Sequence, residues 1–309
     1  MTGRRGGGRG ERLMVPEAEF RSYYGRPVLK GPVWKTPDVP VYLFVGGLAG
    51  SSAVVAELAA WTRRPALERA SRVAAAGGAL VGVTALVHDL GRPERFLNML
   101  RVFKLTSPLS VGSWILAPFS GLAVAAALSA LTGTLPRLGR AAGVGAAALG
   151  PAMATYTAVL FADTAVPAWH EAYPELPYVF AASAAAAGGA VGLIAVPLRE
   201  SGPVRRLAVG GGAAELVMER VMERRLGFVG EPYREGRGGR LLGAARLLTA
   251  AGVFGGLVTG RSRAGSAATG AALLAGSLLT RFGVFEAGRA SARDPKYTVV
   301  PQRARLTPH

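Results

Sequence analysis

The chain has 309 residues, half of them hydrophobic, a net charge of +17 and no cysteine. Its uncharged runs Val39–Ala56, Leu105–Pro136, Ala141–Ala162 and Leu176–Leu198 reach or approach the ~20 residues that cross a bilayer, and they lack a soluble helix's polar face, which excludes a soluble protein. The Lys and Arg residues lie between these runs and in the tails, as the positive-inside effect and lipid headgroups produce, so nucleic acid is not the expected partner.

In chain order, residues 1–36 form a basic, Gly/Arg-rich tail, largely disordered, with no apolar region of a secretory signal. Trp34 to Asp38 marks the membrane interface, and spans follow at about 39–61 and 71–90, joined by the basic turn TRRPALERASR. Next comes a polar loop ending in Thr106-Ser107-Pro108, a hydroxyl cap ahead of a first-turn proline. The third and fourth spans run at about 109–132 and 138–163. The acidic loop DTAVPAWHEAYPELP carries aromatic residues suited to the interface, and a fifth span covers about 177–198. Residues 207–223 read as a weakly hydrophobic sixth span or an interfacial helix, with Glu215, Glu219 and Glu223 in one polar stripe. The last two spans lie at about 243–260 and 265–287. The expected fold is therefore all-α and membrane-integral, with about eight transmembrane helices in two four-helix bundles, 37–163 and 164–288, and a basic tail at 289–309. Gly pairs such as Gly46–Gly50 and Gly188–Gly192 predict close helix contact.

An even number of spans puts both tails on one side. That side carries 22 Lys and Arg against 11 on the other, which favours tails in the cytoplasm of a plasma-membrane protein; the short connections alone give 9 against 11.

Charges inside spans are expensive and mark candidate function. Glu57 lies well inside the first span, while Arg246 and Arg281 fall near the ends of the last two and read as arginines snorkelling to headgroups. Without cysteine, the usual iron–sulfur ligands are missing, and His88, His170 and His309 offer no facing pair for a haem. No bound haem, iron–sulfur cluster or other metal is expected. The best constellation is His88-Asp89-Leu90-Gly91-Arg92-Pro93 at the end of the second span. It gathers an imidazole, a carboxylate and a guanidinium at the depth of a quinone headgroup, with a group that exchanges protons near neutral pH. The same residues would also serve as interface anchors and a helix stop.

The stretch HDLGRPERFLNMLRVFKLTSPLSVGSWIL (88–116) closely resembles the signature region of the NrfD/PsrC family, and RFGVFEAGRASARDPKYTVVPQR (281–303) resembles its C-terminal end. The resemblance spans about residues 31–303. It implies a two-bundle membrane subunit of polysulfide-reductase-like complexes, without redox metal of its own. Such a subunit exchanges electrons between menaquinone-type quinone and a four-cluster ferredoxin-like iron–sulfur subunit, which connects to a molybdopterin catalytic subunit. The resemblance gives His88 the role of a quinol-site histidine, with Asp89 and Arg92 beside it; Tyr42, near the start of the first span, and Tyr156, in the fourth, are further candidate headgroup donors that the resemblance does not itself assign. A proton- or ion-translocating module would instead use Glu57, Glu215, Glu219, Glu223 and Arg246 as a polar path.

Overall fold

The computed structural model describes residues 28–90, 93–259 and 262–306. Residues 1–27, Arg92 and His309, and with them most of the expected N-terminal tail, lie outside the described residues. The helices are α1 (Asp38–Trp61), α2 (Pro65–Asp89), α3 (Pro108–Thr132), α4 (Pro136–Ala162), α5 (Pro167–His170), α6 (Leu176–Ala195), α7 (Gly202–Leu226), α8 (Gly236–Val258), α9 (Arg263–Arg293) and α10 (Lys296–Leu306). Short 3-10 segments cover Pro93–Leu100, Leu198–Glu200 and Gly227–Tyr233, and the described residues include no strand.

Among the described residues, seven helices (α1, α2, α3, α4, α6, α8 and α9) are long and apolar enough to cross a membrane. The eighth long helix, α7, has 25 residues but is too rich in Arg and Glu to join that set. Its placement follows from its packing. Gly189 and Gly192 of α6 leave room for Val204 and Ala208 of α7, and Gly211 lies against Ala182 and Ala186. The two helices thus form an antiparallel hairpin along their shared length.

In the first half, α1 packs on α2 and α4, and α3 closes the ring between them; in the second, α6, α7, α8 and α9 form a second ring. The halves meet where α1 lies against α6 and α9, and α4 against α6. Backbones approach closely at small residues: a Cβ on Gly50 would lie 2.4 Å from the Gly150 carbonyl oxygen, and one on Gly188 would lie 2.3 Å from Ser51 Oγ. This is the close packing that the glycine spacing predicts in a medium where apolar burial alone gives no drive to associate. Ser107 caps α3 as expected, accepting from the Ser110 amide.

Several expectations need correction. The turn TRRPALERASR is mostly the start of α2, because Pro65 suits a first helical turn and Glu200, from the other half, accepts from the Leu67 amide at 3.0 Å. α6 stops at Ala195, ahead of Pro197, and α8 starts at Gly236 rather than at about 243. α9 continues to Arg293, and the expected C-terminal tail contains α10. The longer α9 leaves Arg281 mid-helix and 1% exposed, so it does not snorkel. The acidic loop is not simply interfacial either: its Trp169 is fully buried, stacked on Phe161 at 4.2 Å and donating to the Val284 carbonyl. Arg225 ties this loop to α7 by pairing with Glu175.

At the same face, Lys296 of α10 donates to Glu231 at 2.9 Å. That bond holds the Glu231 carboxyl below its usual range and pushes the Lys296 amine up.

Candidate functional site

The ends of α1, α2, α3 and α4 on the tail side enclose a cavity of about 90 Å³, lined by Trp34, Tyr42, Asp89, Met99, Ser113 and Tyr156 with aliphatic neighbours. The extended segment before α1 forms its outer wall. Trp34 stacks on Phe161 at 5.4 Å and on Trp169 at 5.7 Å, and the Lys35 amide donates to Asp89 Oδ1 at 2.9 Å. Thr36 reaches Glu286 and Arg289 on α9, so this segment crosses from one half to the other.

Tyr42 and Tyr156 meet edge to face, with ring centroids 6.5 Å apart. Gly112 makes room for the Tyr156 ring, since a Cβ there would lie 2.4 Å from it. Tyr156 is 8% exposed, and its buried hydroxyl has no hydrogen-bond partner. A buried hydroxyl left unpaired is costly, so one on a ring that lines a cavity is a donor that a small ring or side-chain shift offers to a ligand acceptor. A lipid-soluble quinone offers such an acceptor in each ring carbonyl, and the apolar lining suits its ring.

The structure therefore brings Tyr42, Asp89 and Tyr156 together. His88 is not part of the lining: its side chain is 75% exposed, and Nδ1 lies 2.7 Å from Asp38 Oδ2 at the water-facing edge. Adjacent helical positions diverge by about 100°, which turns Asp89 inward and His88 outward. Arg92 lies outside the described residues. Trp34 and Ser113 carried no site signal in the sequence, because only the fold sets the N-terminal segment and α3 against Tyr156.

The polar-path residues separate into two groups. Glu57 is buried in the first half, with Oε2 3.3 Å from Arg72 Nη2, and Arg72 also bonds Glu68. It lies 15 positions from Tyr42, about 22 Å along α1 and toward the opposite face. The spacing of Glu68 and Arg72, four residues apart, was the only sequence sign of Arg72's involvement. In the second half, Arg246 bridges Glu219, at 3.1 Å, and Glu223. This corrects the snorkelling expectation for Arg246, whose guanidinium turns in to two carboxylates. Deeper, Glu215 is 1% exposed and lies against Ser183, Thr280 and Arg281. Neither Glu215 oxygen has a hydrogen-bond partner, nor do Nε and Nη1 of Arg281. Arg281 Nη2 donates to the Phe180 carbonyl at 2.9 Å, with the guanidinium 3.7 Å above the Phe180 ring. Among the described residues no group of three His, Cys, Asp or Glu side chains could hold a metal.

Fold and site together define a multi-pass helical membrane protein with a small, donor-bearing cavity at one face. Residues 28–205, more than half of the chain, match the family model described as Polysulphide reductase, NrfD, and the chain belongs to that family. It is thus a membrane subunit of the type found in polysulfide and molybdoenzyme complexes. The match runs from the segment before α1 to the first turn of α7, so residues 281–303 stand outside it. Comparison with curated proteins gives no significant match.

Proposed function

We propose that the chain is the quinone-reactive anchor of a membrane oxidoreductase, passing electrons between membrane quinone and an iron–sulfur partner. The partner is a four-cluster ferredoxin-like subunit that serves a molybdopterin catalytic subunit. The observation that carries this reading is the cavity at the membrane edge lined by Tyr156, whose buried hydroxyl has no hydrogen-bond partner. A menaquinone-type quinone, bound exchangeably, supplies the two-electron, two-proton chemistry. Tyr156 donates to one ring carbonyl and orients the ring, while Tyr42, edge to face with Tyr156, packs beside it in the lining. Asp89 exchanges protons with the cavity, and His88, paired with Asp38 in water, passes them to bulk solvent. Arg92, three positions on from Asp89 in the sequence, adds positive charge. The direct test is quinol oxidation by the complex with Tyr156 altered, argued in the Discussion.

The electrons pass to metal centres that the partner holds. The purified chain is expected to show no haem absorption band and no stoichiometric iron; either signal would return a cytochrome b-like reading.

A second reading, a proton path, is favoured by the four unpartnered polar atoms of Glu215 and Arg281 inside the second half. Glu223, Glu219 and Glu215 sit one turn apart, about 6 Å each, leading inward from the tail face. Glu57, on the other half, would have to continue the path to the opposite face. A purely structural anchor would leave both sites idle.

We place the chain in the plasma membrane with both tails, and the docked partner, on the cytoplasmic side, from the charge count. A reporter fused after His309 should then be active only in a form that works in the cytoplasm. Removal of the C-terminus by protease added to intact cells would reverse the orientation.

A further inference from the structure

The proposed quinone site has to admit its ligand from the bilayer, and we infer that the hydrocarbon tail lies between the 3-10 segment Pro93–Leu100 and the first turns of α3, with Met99 at the gate. This inference rests on the quinone reading of the inner cavity. That cavity, about 90 Å³, is largely enclosed, and directly outside it lies an open cavity of about 250 Å³. Met99, Leu109 and Ser113 line both, so these three residues form the shared wall. Neither space alone reaches the ~300 Å³ at which ligand sites begin, but joined they do. The ring takes the inner space, enlarged as the Met99 wall parts to admit it, and the chain attached to it has to leave through that wall.

The surroundings of the outer space suit lipid. Leu97, Val102, Phe103 and Leu105 are 54–78% exposed, an apolar concentration that water would not tolerate on an ordinary surface. Phe103 and Trp114 form an edge-to-face pair at 5.8 Å, the kind of aromatic pair found at the headgroup level. The segment is pinned on one side, where Ser110 Oγ accepts from the Lys104 amide and donates to the Val102 carbonyl. Met99 sits beyond that pin on a 3-10 turn, whose hydrogen bonds are weaker than those of an α-helix. Methionine, unbranched and adaptable, suits a wall that has to part and close around a chain.

Two other spaces compete. An open cavity of about 270 Å³ between α1, α4, α6 and α7 is apolar but shares no lining residue with the inner site. A groove under residues 29–34 shares only the Trp34 ring. Neither gives the ring's substituent a continuous route.

Because the chain has no cysteine, Val102→Cys, at a residue that lines the outer cavity and not the inner one, offers a unique thiol in the full-length protein. The variant is placed in lipid nanodiscs and titrated with a menaquinone bearing a full isoprenoid tail, and with its tail-less ring analogue. Quenching of tryptophan fluorescence, including that of Trp34 in the cavity wall, reads out binding. A bulky, reductant-cleavable reagent is then attached to the single thiol of this variant. The expected result is that the tailed quinone loses at least about tenfold in affinity, the worth of two buried methylenes, whereas the ring analogue is unchanged. Reductant restores the tailed ligand, which excludes misfolding as the cause. If both ligands bind as before after modification, the portal lies elsewhere and the inference is overturned. If neither ligand quenches the unmodified protein, the quinone reading of the cavity fails, and the portal with it. A photoreactive group at the tail end should label residues 97–114; labelling of α6 or α7 would assign the tail to the competing cavity and overturn the inference.

Discussion

Tyr156→Phe should lower quinol-dependent turnover of the assembled complex by about 10²-fold, the scale of losing one preorganised donor. The substitution removes a single oxygen, one with no hydrogen-bond partner inside the protein. Folding should therefore be unharmed, and thermal stability should stay level or rise, since an unsatisfied buried hydroxyl costs about 1–3 kcal/mol. That combination separates a ligand contact from a packing role. The ring still fills the space opened by Gly112 and still meets Tyr42, so the cavity keeps its shape. Activity of the catalytic partner with a soluble electron acceptor should persist. Unchanged quinol turnover would move the site away from this cavity. His88→Ala provides the companion measurement, with a loss on the order of 10²-fold if His88 exchanges the protons.

The second large effect concerns stability. Arg246→Ala should destabilise the detergent-solubilised protein by about 3–5 kcal/mol, because it strips the cation from buried Glu219 and Glu223. Glu219 then remains without an ion-pair partner in a low-dielectric interior, and Glu223 keeps only the charges of Arg220 and Arg234, which costs more than the pair returns when intact. Replacing all three together (Arg246→Met with Glu219→Gln and Glu223→Gln) should recover most of the loss, because no unpaired charge is left. This triple variant also decides between the two readings of the stripe. If quinol oxidation and any linked proton uptake are normal, the stripe holds α7 in the membrane and does nothing more. If electron transfer survives while proton uptake in vesicles disappears, the stripe conducts protons. A triple variant no more stable than Arg246→Ala would show that Arg246 acts through contacts other than these carboxylates.

Much of this was written in local sequence, for a physical reason. A bilayer offers the backbone no hydrogen-bond partners, so a long uncharged run has to become a helix whatever its neighbours do. The helical fold, the membrane location and the close-packed glycines follow from the runs and their spacing alone. The stretch 88–116 identified the family before any tertiary contact was known. Helix ends were less legible, since turns such as 62–72 are settled by distant partners, here Glu200 capping the α2 start. Only tertiary structure decided which charges meet. Arg281 and Arg246 lie far along the chain from the groups they face, and Arg72 adds to its neighbour Glu68 a bond to Glu57 on another helix; each was drawn to a buried partner rather than to headgroups. The same holds at the candidate site. Sequence placed His88 and Asp89 together at a helix end, but the turn of one residue sends the imidazole to water and the carboxylate to the cavity. The donor opposite, Tyr156, comes from a helix 67 positions further on, and no periodicity links it to Asp89. Its position depends on how α3 and α4 close against α1, which is a matter of side-chain volumes across several helices.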